Sequence, residues 1–158
     1  MKQKELSVCL RVIVPLAAVG VIVLAAVFIP QLGRTLARQN AEQAYYVPCL
    51  VWVWVSVLPV LAALAVAWRI FADIGRDMSF SLKNAARLRL ICYLAIADTV
   101  LYIALAGTLA ALNVLHTGIF VVLLCVIFMG FFLSVAAAAL SHLTRKAAAL
   151  KDENDLTI

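Results

Sequence analysis

Four polar or helix-breaking residues stand inside stretches that are otherwise apolar. Asp98 lies in YLAIADTVLY, residues 93–102, and Tyr102 follows at the i+4 spacing that puts two side chains on one helical face. Ser56 and Pro59 lie in LVWVWVSVLPVLAAL, residues 50–64. A helical proline lacks the N–H that would meet the carbonyl four residues back, here Val55, and bends the chain. Ser56 is placed to satisfy the freed carbonyl, as a fixed kink first and a moving hinge second. A carboxyl at bilayer depth is costly and is a functional-site hypothesis by default. Three chemistries fit Asp98: a neutral acid donating a hydrogen bond to a backbone carbonyl such as that of Val55, a ligand or cation contact, and a proton relay. No Lys or Arg lies at matching depth, so desolvation favours the neutral form. A relay needs a chain of titratable groups, and only Asp98 is visible. No nucleophile–base pair, phosphate loop or metal-ligand spacing occurs, which predicts a protein that is not an enzyme and takes no cofactor or metal. Cys9, Cys49, Cys92 and Cys125 show no CxxC spacing and read as apolar thiols, although Cys49 and Cys125 fall in outer halves of spans and could approach each other.

The elements that must position these residues follow from composition. The chain has 158 residues, 66% hydrophobic and 13% charged, whereas soluble domains are about half apolar and a quarter charged. Apolar runs over residues 10–30, 46–70, 88–112 and 117–140 are each near the ~20 residues that cross a bilayer. The reading is all-α: a polytopic, four-transmembrane-helix bundle forming one domain, too short between spans for a soluble catalytic unit. Asp98 then falls near the midplane of the third span. The net charge of +5 sits in the linkers, which argues for topology and against direct nucleic-acid binding. Eleven of the thirteen Lys and Arg lie on the side of the termini and the middle linker, with Arg34 and Arg38 opposite. The positive-inside rule then puts both termini in the cytoplasm, with a cytoplasmic loop at 71–87 and a helical extension and acidic tail at 141–158.

Local signals refine this. LSVC, residues 6–9, resembles a lipoprotein cleavage box but precedes the apolar run, so the first span reads as a retained anchor. Pro15 falls near the start of that span, where a lost backbone bond is tolerated. Trp52, Trp54, Trp68, Tyr45 and Tyr46 read as an interfacial aromatic belt. Gly130, Ser134 and Ala138 recur every four residues, His142 continues the row, and Gly107 and Ala111 repeat the spacing in the third span. Small rows let membrane helices approach closely, so spans three and four are expected to form an antiparallel hairpin. A homo-oligomer through such a row is left open.

The linker ends in DIGRDMSFSLKNAARLRL and the chain in LKDENDLTI. Gly75 is a C-cap candidate for the second span, and Ser79 or Ser81 an N-cap for the third. Lys83, Arg87 and Arg89 suit contact with headgroups of the lipid bilayer. Leu156 and Ile158, around Thr157, either fray or dock in a groove. Both motifs resemble those of the bacterial DUF2975 family, small four-helix membrane proteins, and the resemblance extends over nearly the whole chain. It implies a partner, since members are often encoded beside a small Cro-type helix-turn-helix regulator, and it supplies no catalytic residues. Ser79, Phe80, Asn84, Arg87, Leu88 and Arg89 coincide with the loop motif, and Glu153, Asn154, Asp155, Leu156, Thr157 and Ile158 with the tail.

The leading expectation is a non-enzymatic protein of the bacterial inner membrane that senses a membrane signal and binds such a regulator through loop and tail. The acidic tail would either latch onto the basic loop or imitate phosphate on a basic partner. The alternatives are a small transporter or channel that uses Asp98 for a cation or proton, and a structural assembly subunit.

Overall fold

The computed structural model describes residues 3–39, 43–76 and 80–155. Among the described residues every regular element is a helix. Helix α1 (Gln3–Val23) passes through a π-helical turn (Leu24–Phe28) into α2 (Ile29–Gln39), so the first span is one rod with a wide turn inside it. Helices α3 (Gln43–Ile74), α4 (Leu82–Ala111) and α5 (Thr117–Asp155) follow. Four segments are long and apolar enough to cross a membrane: Ser7–Thr35, Tyr45–Ile74, Leu82–Ala111 and Thr117–Lys151.

The helical ends have readable causes. In the π turn the amide of Ile29 donates to the carbonyl of Leu24. Pro30 comes next and has no N–H for the carbonyl of Ala26, so the widened turn makes room for its ring. Pro15 is not near a helix start, as the apolar window suggested. Helix α1 begins at Gln3, and Pro15 interrupts its interior. Of the two serines offered as N-caps, Ser81 caps α4. It is extended, at φ −133° and ψ 151°, and its hydroxyl accepts the amide of Asn84 at 3.2 Å. At the other end of α4, Asn113 takes a left-handed φ of 55°. The amide of Asn113 reaches the carbonyl of Ala110 at 3.0 Å and that of Val114 reaches Leu109 at 3.1 Å, a Schellman closure. Val114 and Leu109 supply the apolar contact that accompanies this cap, within a cluster with Leu105 and Leu123.

The packing order is simple. The first span packs on α3, α3 on α4 and α4 on α5, and among the described residues no other pair of spans touches. The four helices therefore form an open row, each touching only its neighbours in sequence. Lipid is as apolar as the side chains it meets, so exposed leucines supply no drive to close the row. The hairpin of α4 and α5 is the most extensive pair. Gly130 is central to it: a Cβ there would collide with the Thr99 hydroxyl. Gly107, offered as the matching small residue, faces open space, because the buried face of α4 runs through Ala85, Cys92, Ala95, Leu105 and Leu109 instead.

Candidate functional site

Two polar groupings are built on this row. The first lies halfway along α3 and α4. Ser56 is buried, and its Oγ donates to the carbonyl of Val53 at 2.9 Å and lies 2.8 Å from the Tyr102 hydroxyl. A serine has one proton to give. With it committed to Val53, Tyr102 is the donor to Ser56. Above this pair the Trp52 indole donates to the carbonyl of Leu101 at 3.0 Å. Trp52 thus ties α3 to α4.

Asp98 lies one turn from Tyr102, and its Oδ1 is buried with no hydrogen-bond partner among the described residues. The expected bond from Asp98 to the Val55 carbonyl is not formed at this oxygen. Nor does Ser56 satisfy Val55: a helical serine reaches back three or four residues, so Val53 is within reach and the preceding residue is not. The structure brings Ser56 and Tyr102 together directly, with Pro59 one turn further along α3.

The second grouping closes the connection from α3 to α4. An ion pair joins Arg87 Nη1 to Asp73 Oδ2, and the same nitrogen donates to Asn84 Oδ1 at 2.8 Å. Asn84 is 1% exposed. Of the two residues taken from the sequence as contact residues, Asn84 therefore faces inward, and Arg87, partly open to solvent, ties the end of α3 to the start of α4. Asp73 was not singled out. Its signal was an acid in the last turn of a helix, where the macrodipole disfavours negative charge and a cation is wanted. Phe80, 61% exposed, and Arg89 stay on the surface. Ser79, Leu156, Thr157 and Ile158 lie outside the described residues, and Glu153, Asn154 and Asp155 are described only as the end of α5.

Hydroxyl ties continue around this end of the molecule. Ser7 donates to the carbonyl of Phe71 at 2.7 Å, and Gly75 leaves room for it, since a Cβ there would stand 2.7 Å from Ser7 Oγ. Ser141 donates to the carbonyl of Ala85 at 2.7 Å. Thr144 and Ala148, beyond the apolar part of α5, are also buried. At the opposite end Cys49 packs against the Leu105 cluster, while Cys125 is exposed, and no disulfide joins them. The arrangement ties the helices together at the loop end and leaves Asp98, half-buried with one buried carboxyl oxygen, midway along α4.

The profile of a family described as "Protein of unknown function (DUF2975)" matches residues 31–158. That stretch holds both polar groupings. The "Uncharacterized membrane protein YoaS" of Bacillus subtilis (strain 168) is 25% identical over 155 residues, covering 96% of this chain and 97% of its own length. No solved structure matches.

Proposed function

This chain belongs to the DUF2975 family, and from that membership we propose a non-enzymatic, multi-pass protein of the bacterial cytoplasmic membrane that holds a small helix-turn-helix regulator at its cytoplasmic face. The observation that carries the reading is the length of α5, which runs 39 residues without a break. At ~1.5 Å per residue that is about 58 Å, against ~40–45 Å for a bilayer with its headgroups. The last turns thus stand clear of the membrane as a helical arm bearing Lys146, Lys151 and an acidic end. The Asp73–Arg87–Asn84 closure supports the same reading by giving the arm a stiff neighbour with Phe80 and Arg89 on its surface. Excess Lys and Arg at this end support a cytoplasmic location. A change in the membrane helices would alter the regulator's availability if the two arrangements bind it with different affinity.

The test is affinity purification of the tagged chain from gently solubilised native membranes, beside a chain lacking residues 153–158. Enrichment of a small DNA-binding protein by the full chain, and its loss with the truncation, is expected. Equal capture by both chains, or by neither, overturns the docking reading.

One observation favours a second function, cation or proton passage: the buried Asp98 oxygen has no hydrogen-bond partner among the described residues. It requires Asp98→Asn to abolish flux in proteoliposomes while the truncation leaves flux unchanged. A single open row makes no pore, so this reading also requires several copies.

A further inference from the structure

The loop end holds a cleft that the regulator reading leaves unexplained. Between the first turns of α4 and the matching stretch of α5 lies a cleft of about 440 Å³. Its lining is apolar at Leu82, Ala85, Ala86 and Ala138, with Ala85 buried, and carries Arg89, His142 and Arg145. No carboxylate lines it. The ion pair at this end joins Arg87 to Asp73, and Arg89 and Arg145 share the cleft lining with no Asp or Glu among the described residues. Ser141, also in the wall, spends its proton on Ala85 and keeps the two helices fixed at this spacing.

Depth decides what such a cleft meets. Helix α4 has 30 residues, about 45 Å, which matches a bilayer including both headgroup layers. Its first two turns, which supply Leu82, Ala86 and Arg89, therefore lie at headgroup level. A volume of about 440 Å³ falls within the usual ~300–1,000 Å³ of small-molecule pockets. It admits a headgroup with its glycerol and leaves the acyl chains outside, along the lipid-exposed faces of α4 and α5. An arginine fork matches phosphate oxygens in pairs, and the apolar lining matches the glycerol backbone.

We propose that the cleft between α4 and α5 is a binding site for an anionic phospholipid, its phosphate held by Arg89 and Arg145 and its chains running down the outer face of the hairpin. The site shares Arg89 with the proposed regulator surface, but lipid binding needs only a membrane-inserted chain and no regulator. An occupied cleft bridges α4 to the base of the α5 arm, so lipid charge acts on the segment that leaves the membrane.

The experiment is native mass spectrometry of the full chain in detergent micelles doped with phosphatidylglycerol, with phosphatidylcholine, or with inorganic phosphate in place of lipid. Phosphatidylglycerol is expected to be retained as a discrete adduct and phosphatidylcholine to bind roughly tenfold more weakly, which is 1.4 kcal/mol. The double variant R89Q/R145Q is expected to lose that preference, whereas Arg34→Gln at the opposite end keeps it. Ala86→Phe fills the cleft without removing charge and is expected to lose the adduct too, which guards against a double variant that merely misfolds. Retention of the preference in both R89Q/R145Q and A86F overturns the proposal. So does competition by millimolar inorganic phosphate, which would mark a free-anion site.

Discussion

The hydroxyls of Ser56 and Tyr102, 2.8 Å apart, tie the middle of α3 to the middle of α4. Tyr102→Phe removes the donor and Ser56→Ala the acceptor, and each is expected to destabilise the pair of helices by about 1 kcal/mol. The double variant should cost less than the two singles added, with a coupling near the ~0.6 kcal/mol common for hydrogen bonds inside membranes. Reversible unfolding in mixed micelles measures all three. Strict additivity would mean that the two hydroxyls do not meet.

Gly130 and Gly107 make opposite predictions although both are helical glycines. A methyl at Gly130 meets the Thr99 hydroxyl, which must then give up its bond to the Ala95 carbonyl. Gly130→Ala is expected to lose about 1–3 kcal/mol through overpacking. Gly107→Ala meets nothing and is expected to gain up to about 1 kcal/mol from helix propensity. Thermal unfolding of the two variants in one detergent distinguishes them by sign.

The turn between α4 and α5 rests on one residue with positive φ. Asn113→Gly is expected to be neutral, because glycine adopts this backbone without strain. Asn113→Val should cost about 1–2 kcal/mol, the penalty for a left-handed residue. Both follow from unfolding midpoints, and a tolerated valine would show that the turn relaxes to another shape.

At the loop end, Asn84→Ala deletes a buried acceptor for Arg87, and a loss of about 1–3 kcal/mol is expected. Asp73→Asn should cost less, on the order of 1 kcal/mol, because the ion pair is partly open to solvent. Limited proteolysis between Gly75 and Leu82 is the readout. Faster cleavage in both variants, fastest in Asn84→Ala, is the expected order.

The spans were legible because lipid demands long apolar runs, and all four stand where those runs predict them. Their ends came from signals other than hydropathy. Apolar windows stopped at residues 30, 70 and 140, while helix continues to Gln39, Ile74 and Asp155; the stop before Gly75 and the extension past residue 140 were legible in local residue types, and the run on to Gln39 was not. A hydropathy window senses the solvent, but the backbone ladder stops only where a residue stops it. Ala, Leu and Lys after residue 140 keep it going, and Pro30 merely widens a turn. The α4–α5 hairpin could be read from the row at Gly130, whose spacing belongs to one helix. The contacts of Ser56, Asp98 and Asn84 could not, because they depend on how neighbouring helices are rotated about their axes. For the same reason Gly107 looked like Gly130 until its neighbours were known. Asn84 and Arg87 were recognised as a motif, yet Asp73, the acid that explains Arg87, was passed over.

The open row bears on how the chain comes to be assembled. Each span finds its partner in the span made just before it, so no helix must wait for one still to be synthesised. Contacts between near neighbours in sequence favour fast assembly. As each span leaves the translocation machinery its docking surface is already in the membrane, and a chain halted after α4 would hold every interface of the finished protein except the last.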